Sequence, residues 1–339
     1  SLQNIGTTSN YSLPFITNNT EKMRLSSTGN LGIGTSTFDA TNPEKLLVDA
    51  GATSSYNVIS GKGTINNYLQ LNIQNRSAGN SASSDVVATA DNGNESVNYV
   101  DLGINSSTYN AASFNVTAAN DAYLYSTGND FAIGNATANK ALKFFTGGTV
   151  AANERMRINH LGNVAIGTST WDGTNPEKFI VDAGTTTSVN AIVGKGSINS
   201  YLQLNIKNNS AGTAASSDVV ATADNGSETT NYIDMGINSS GNTSNVFGGA
   251  NDAYLYNVGQ NLLIGTSTSG KSLVLMTGGT TQSTNERMRI DGTGNVGIGN
   301  NSPTSTLHVT GSVAMSIATK TANYTATASD YTIVCNNSG

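Results

Sequence analysis

Acidic side chains recur along the chain, and paired carboxylates are the groups with which many enzymes cleave glycosidic bonds. The first set is Asp85, Asp91, Glu95 and Asp101, and the second set is Asp218, Asp224, Glu228 and Asp234. All of them lie in or beside predicted strands and turns, where Asp also favours turn geometry and solubility. We therefore interpret these carboxylates as structural and predict that the chain is not an enzyme.

Two histidines and one cysteine are the remaining side chains with common roles in metal binding. His160 and His308 are far apart in sequence, so a metal pair is disfavoured, although symmetry would bring three copies of one histidine together on an axis. We interpret His160 as a solvated turn residue and His308 as a strand-face residue. Cys335 is alone, so no disulfide framework or cysteine-based metal site can form within the chain. We predict no cofactor.

The chain repeats itself with a long period. GNLGIGT at residues 29–35 returns as GNVAIGT at 162–168 and as GNVGIGN at 294–300. Between these anchors, SDVVATADNG at residues 84–93 is identical to residues 217–226. A long fixed period is typical of modules stacked in tandem. Such arrays suit fibres, stalks and adhesins, which gain length from repetition, better than they suit enzymes.

Each period divides into a short connector, which holds the repeated anchor, and a larger β-module. The predicted boundaries are an upstream module end at 1–20, connectors at 21–50, 154–183 and 285–312, β-modules at 51–153 and 184–284, and the start of a further module at 313–339.

Alternation of apolar and polar residues with period 2 predicts strands almost everywhere. Residues 69–74 (LQLNIQ) and 202–207 (LQLNIK) have this pattern, as do 100–104 and 233–237. The Asn92-Gly93 pair predicts a tight hairpin turn with positive φ angles. In the connectors, a hairpin at residues 156–166 leads to the NPEK sequence at 175–178, where one helical turn is predicted before a strand resumes at 179–181. The predicted fold class is all-β.

Spacing between the copies also locates the loops. Two residues are missing from 238–251 relative to 105–120, and one residue is inserted just before Glu286. Such changes belong in loops, because a one-residue slip in a strand turns every side chain to the other face. Loops on a rigid scaffold can specialise for binding. Tyr109, Phe114 and Phe247 are therefore candidate receptor-contact residues, with drift of a spacer loop as the alternative.

Two kinds of side chain recur in the connectors. Arg24, Arg157 and Arg289 occupy equivalent positions. In a chain with only 11% charged residues, a repeated arginine indicates either a bidentate partner, such as a carboxylate or carbonyl of a neighbouring subunit, or an exposed scaffold charge. Phe38 and Trp171 also match. We favour an aromatic plug under each connector over a sugar-stacking residue.

Composition restricts the partners. Net charge is −6 with no basic cluster, which argues against nucleic acid. No run of 18 apolar residues occurs, so no membrane insertion is predicted. The charged fraction is under half of the roughly 25% of ordinary domains, and the apolar content predicts thin cores. Thin β-modules are best stabilised by burial against copies of themselves in a symmetric oligomer.

The connector sequences GNLGIGTST, GNVAIGTST and GNVGIGNNSPTSTLHV, each preceded by EKMRL or ERMRI, resemble a motif common in bacteriophage tail fibres and related virion fibre proteins. The resemblance covers most of the chain. It implies an elongated, intertwined homotrimer on the virion, outside the host cell, which presents host-recognition elements. The implied partners are copies of itself, other tail or fibre proteins, and a host-surface glycan or protein.

Two other interpretations use similar physics. A bacterial cell-surface stalk or adhesin built from the same repeats is the alternative to a viral fibre. An ice-binding solenoid with flat Thr-rich faces is disfavoured, because its coils would repeat every 20 to 50 residues, far less than the period of this chain.

Overall fold

A computed structural model describes residues 5–244, 246–315, 318–319, 323–328, 330 and 333–334. The protein is all-β, with 27% of its residues in strands and 3% in helices, which confirms the predicted class. The chain divides into two compact units, Ser1–Thr186 and Thr187–Gly339. Small sheets of two to four strands make up both units.

The first unit contains two four-stranded sheets and one three-stranded sheet. Its strands are β1 (Leu13–Thr17), β2 (Thr20–Leu25), β3 (Leu31–Ile33), β4 (Leu46–Val48), β5 (Ser83–Thr89), β6 (Tyr99–Asn105), β7 (Ala122–Thr127), β8 (Leu142–Phe145), β9 (Glu154–Ile158), β10 (Val164–Ile166) and β11 (Phe179–Val181). Strands β1 to β4 and β8 to β11 each form a sheet that we call a connector sheet. Strands β5 to β7 form what we call a module sheet.

The second unit repeats this plan with one module sheet, one connector sheet and a two-stranded pair. Its strands are β12 (Ser216–Thr222), β13 (Tyr232–Asn238), β14 (Ala253–Val258), β15 (Leu273–Met276), β16 (Glu286–Ile290), β17 (Val296–Ile298), β18 (Leu307–Val309), β19 (Ala318–Thr319) and β20 (Ile333–Val334). The first strand of each connector sheet thus comes from residues that precede the predicted connector.

In each connector sheet the first three strands are antiparallel and the last two are parallel. The predicted hairpin at residues 156–166 is present as β9 and β10, and Gly162 closes it with φ 76°. The strand predicted at 179–181 is also present, as β11. A glycine is required in this turn because side chains disfavour left-handed backbone.

The predicted helical turn at the NPEK sequence is wrong. Residues 173–175 and 178 form bends, and Asp172 Oδ1 accepts hydrogen bonds from the N–H groups of Thr174 (2.8 Å) and Asn175 (2.6 Å). This side-chain turn fixes a bend immediately before Pro176, and Asp commonly forms such turns with nearby backbone N–H groups. Asp39 does the same in the first connector, at 2.8 and 2.6 Å.

Each module sheet is a three-stranded antiparallel meander. The predicted strands at 100–104 and 233–237 lie in β6 and β13. A turn does form at Asp91-Asn92, but the positive φ belongs to Asn98, at 57°, rather than to the Asn-Gly pair. A hydrogen bond of 2.9 Å from Ala90 N–H to Asn98 O joins the two ends of this loop next to the strands.

The length differences between the copies fall in loops, as predicted. The two-residue difference lies between β6 and β7, where a short helical turn at Ala112–Phe114 stands in the first copy. The inserted residue lengthens the turn before β16, which is Gln282–Asn285 there and Ala151–Asn153 in the earlier copy.

The strands predicted at residues 69–74 and 202–207 are not formed. Both segments are without secondary structure, and every residue in them is exposed. Alternation alone therefore predicted an extended backbone correctly, but the described chain supplies no neighbouring strand to pair with it.

Candidate functional site

Each module sheet buries the face that carries its polar side chains and exposes the face that carries its apolar side chains. Along β6, Asp101, Gly103 and Asn105 are buried, whereas Leu102 and Ile104 between them are exposed. The register places Val86, Leu102 and Leu124 in one row across the sheet. We call the face with this row the apolar face and the opposite one the polar face. The sheet thus covers its polar face and leaves its apolar face open.

A hydrogen-bonded cluster occupies the polar face. Asp85 accepts hydrogen bonds from the Tyr123 hydroxyl and from Ser83 Oγ, the latter at 2.6 Å. The hydroxyls of Tyr99 and Tyr125 are 2.8 Å apart. Burial, reinforced by the Asp85 contact, raises the pKa of Tyr123 to about 12. Tyr123 therefore keeps its proton, and its hydrogen bond to Asp85, to a higher pH than an exposed tyrosine would.

The loop after β6 covers this cluster. Phe114 packs on Tyr123 and Tyr125, with ring centroids 5.3 and 4.9 Å apart, and Tyr109 is buried. In the second module Phe247 stacks on Tyr256 at 3.7 Å and remains 47% exposed. Of the three predicted receptor-contact residues, Phe247 therefore presents the most open surface. Phe114 holds its loop against the sheet, and the Tyr109 hydroxyl donates to Phe114 O within that loop at 3.3 Å.

Two of the predicted carboxylates meet on this face. Asp85 is paired with Gly103, one step along the face from Asp101. Asp101 is 8% exposed and its Oδ1 atom has no hydrogen-bond partner. Burial raises its pKa, and the negative charge of Asp85 raises the pKa further. In the second module, burial and the charge of Asp218 likewise raise the pKa of Asp234, against a smaller opposing effect of the Tyr256 hydroxyl, and its Oδ1 atom also has no partner. By contrast, Asp91, Glu95, Asp224 and Glu228 are exposed loop residues.

Replacing both buried aspartates, in the variant Asp101→Asn/Asp234→Asn, is expected to stabilise the modules at neutral pH. A raised folded-state pKa means that the contribution of the group to stability is full below its unfolded value, about 3.9, and is lost as pH rises through the folded value. Asn removes the buried charge at similar volume. We expect the thermal midpoint to rise by a few degrees at pH 7 and to change little at pH 3.5.

The matched control is Asp91→Asn/Asp224→Asn, which removes the same charge from exposed loop positions. It should leave both midpoints nearly unchanged. A lower midpoint at pH 7 for the buried-site variant would show that the ionised carboxylates stabilise the fold, contrary to this account.

The repeated connector arginine has its predicted bidentate carboxylate partner, but that partner lies in the same strand rather than in a neighbouring subunit. Arg24 contacts Glu21 through two hydrogen bonds of 2.6 Å, and Arg157 and Arg289 contact Glu154 and Glu286 in the same way. Hydrogen bonds from Arg157 are the main reason why the pKa of Glu154 falls to about 2.

A β-bulge explains why residues three apart share a face. Phe15 is paired with Met23 and Ile16 with Glu21, so Lys22 is the extra residue of β2. The same irregularity occurs in β9 and β16. A bulge brings one additional residue into a strand and so reverses the alternation of side chains. Sequence analysis missed the glutamate partner, although the repeated E-x-x-R spacing was a visible signal.

The aromatic side chains of the connectors are half-buried. Phe38 lies against the anchor, and a Cβ added to Gly32 would be 3.2 Å from Phe38 Cζ. In the second connector, Ala165 is equivalent to Gly32 and is completely buried. Trp171 is equivalent to Phe38 and is half-buried, with its Nε1 unpaired. This placement agrees with packing beneath the anchor. The third connector has the half-buried Pro303 at the corresponding position.

The anchor asparagine is a second feature that the sequence analysis missed. Asn30 and Asn163 are nearly fully buried, and the Oδ1 atom of each accepts a hydrogen bond of 2.8 Å from Lys45 or Lys178. A buried amide needs partners, since leaving it unpaired is costly. The third connector has no lysine at this position, and Asn295 bonds instead to Asp291.

The histidines are separate from these clusters. His160 is an exposed turn residue, and His308 is a half-buried residue of β18 whose Nδ1 lies 3.3 Å from Thr304 N. Among the described residues, no three of His, Cys, Asp and Glu are grouped as they would be around a metal ion. Cys335 lies outside the described residues.

Within the part of the chain that the structure describes, no helix has the length and apolarity needed to cross a membrane. A comparison of the sequence with protein-family profiles and with curated proteins finds no match. Function therefore has to be argued from the repeats and from the exposed surfaces.

Proposed function

We propose that this chain is a structural segment of a homotrimeric virus tail fibre, which extends the fibre and presents the elements that recognise the host. The observation that supports it most is the open apolar face of both module sheets. Val86, Leu102 and Leu124 are 57%, 55% and 52% exposed, and the equivalent Val219, Met235 and Leu255 are 50%, 56% and 48% exposed.

Such faces call for a partner because apolar surface gains about 25 cal/mol for each Å² that is removed from water. A central row of large apolar residues is normally the core side of a sheet. Here the loops already cover the polar face, so only another chain is left to cover the apolar one. A symmetric oligomer supplies that cover with the same surface from each copy.

The total accessible surface supports the same proposal. A folded globular monomer of this mass exposes about 13,000 Å², whereas this chain exposes 27015 Å². In the described residues, Tyr109 and Ala165 are the buried apolar residues. A single copy therefore has too little core for a stable fold, and the missing burial has to come from association. The number three rests on the resemblance of the connectors to fibre motifs.

The mass of the protein in solution tests the proposal. Light scattering at micromolar concentration should give three times the 34.8 kDa of one chain, with a melting transition that depends on protein concentration. A well-folded species with the mass of one chain would contradict the trimer.

Imaging tests the location. A labelled antibody against this segment should mark the tail fibres of intact virus particles. Labelling of bacterial cell surfaces in the absence of particles would favour the stalk or adhesin instead.

A further inference from the structure

Two long runs, residues 56–74 and 189–207, carry exposed apolar side chains and have no secondary structure. Leu69, Leu71 and Ile73 are 63%, 89% and 48% exposed, and Leu202, Leu204 and Ile206 are 62%, 91% and 47% exposed. Both runs lie between the last strand of a connector sheet and the first strand of a module sheet. Loops of this length without structure of their own are uncommon in compact domains.

The backbone of the last six residues of each run is also unpaired. Within residues 69–74 and 202–207, all of them described, no backbone or side-chain hydrogen bond is formed. The chain is tied to its own module only beyond that point, where Asn75 N–H donates to Ser84 Oγ at 2.8 Å. Asn208 and Ser217 repeat this contact at the same distance. Each run is therefore a strand-like segment that is anchored at its end and open along its length.

The two runs are nearly the same sequence, although exposed loops of the same modules differ. YLQLNI is identical at residues 68–73 and 201–206, whereas the loops at 106–119 and 239–250 differ in length and residues. A position that only contacts water tolerates change. The retained alternation indicates that the Leu, Leu and Ile row packs against something.

We propose that residues 56–74 and 189–207 are exchange strands, which pair with a second copy of this chain and pack their apolar row against it. The inference rests on the trimer proposed above and names the segments that link its chains. Pairing with a second copy would satisfy the unpaired N–H and C=O groups of each run. Left open, such groups would recruit further chains and lead to aggregation.

A second copy is the occupant that the chain itself supports. Each chain has two exposed runs and two open module-sheet faces. Identical copies therefore supply one face for every run. The runs carry no acidic residue, and their charged residues are Lys62 in the first and Lys195 and Lys207 in the second. They therefore lack the charge pattern by which a strongly charged partner would be recognised.

Amide hydrogen exchange on the unmodified protein tests the pairing directly. The described chain gives the N–H groups of residues 69–74 and 202–207 no acceptor, so protection can come only from another chain. In the trimer we expect these amides to exchange at least 100-fold more slowly than an unstructured peptide of the same sequence.

Paired variants provide an independent readout. Leu71→Asp/Leu204→Asp places charge in the apolar row, and Asn72→Asp/Asn205→Asp places the same charge on the other side of the strand. The first should shift the species in light scattering from trimer to single chain or aggregate, and the second should remain a trimer.

The outcomes separate this inference from the proposed function. A trimer in which these amides exchange as fast as the free peptide overturns the exchange strands and leaves the fibre proposal standing. A trimer that tolerates aspartate at residues 71 and 204 does the same. A protein that is a single folded chain overturns both.

Discussion

Replacing Leu102 and Met235 by glutamine is expected to dissociate the proposed trimer. These two residues are the centres of the apolar rows, at equivalent positions of β6 and β13. Glutamine is close to both in size but places an amide in the contact. An amide buried without partners costs about 1–3 kcal/mol, and the cost recurs in both modules of every chain. About 1.4 kcal/mol corresponds to a tenfold change in affinity. The combined cost of the buried amides therefore weakens association enough to separate the chains.

Light scattering and sedimentation measure the result, which should be single chains or aggregate at micromolar concentration. The control is Val87→Gln/Val220→Gln, which introduces the same amide on the opposite faces of the same sheets. Val87 is 52% exposed and Leu102 is 55% exposed, so the described chain alone gives no reason for different outcomes. Equal behaviour of the two variants would count against apolar faces that meet in the assembly.

Replacing Gly167 by alanine is expected to unfold the second connector sheet. Gly167 has φ 80°, and an added Cβ would overlap the carbonyl oxygen of Asp182. A left-handed backbone costs a side-chain residue about 1–2 kcal/mol, and forced displacement in a packed site adds about 1–3 kcal/mol. Since Asp182 N–H bonds to Ile166 O at 2.9 Å, the displacement also breaks the link between β10 and β11.

Hydrogen exchange across residues 154–181 and the thermal midpoint are the measurements. Gly299→Ala is the matched control, because its added Cβ would be 3.3 Å from Thr310 O, with φ 65°. We expect Gly299→Ala to lower the free energy of unfolding only by the cost of the left-handed backbone, about 1–2 kcal/mol. Gly32→Ala should be tolerated better than Gly167→Ala, since Ala165 occupies the equivalent position naturally. Similar losses for Gly167→Ala and Gly299→Ala would show that φ alone, and not the overlap, decides stability.

The connector hairpins were predictable from local sequence. A short apolar strand, a turn with glycine at its left-handed position and a second short strand need only residues within about a dozen positions. Their hydrogen bonds close over that distance, as in the bond of Gly162 N–H to Asn159 O at 3.0 Å. The Arg157 to Glu154 pair also lies within this range, but its common face depends on a bulge that pairing with β8 creates.

The NPEK segments show where local rules compete. Proline at the first position favours a helical turn, whereas the Asp172 carboxylate accepts from the N–H groups of Thr174 and Asn175 and forms a bend there. The parallel pairing of β10 with β11 requires an extended chain at residue 179, and this tertiary constraint decides the competition. A prediction from propensity alone had no access to that pairing.

By itself, the sequence determined the all-β class, the tandem repeat, the hairpin anchors and the places where loops change length, because alternation, glycine turns and spacing are local or periodic properties. Only the tertiary structure decided which face of each module sheet is buried. Tyr123 donates to Asp85 and Tyr125 is bonded to Tyr99 on the polar face beneath Phe114, so the apolar row is left exposed. Alternation marks two faces of a strand, but the covering loop chooses between them.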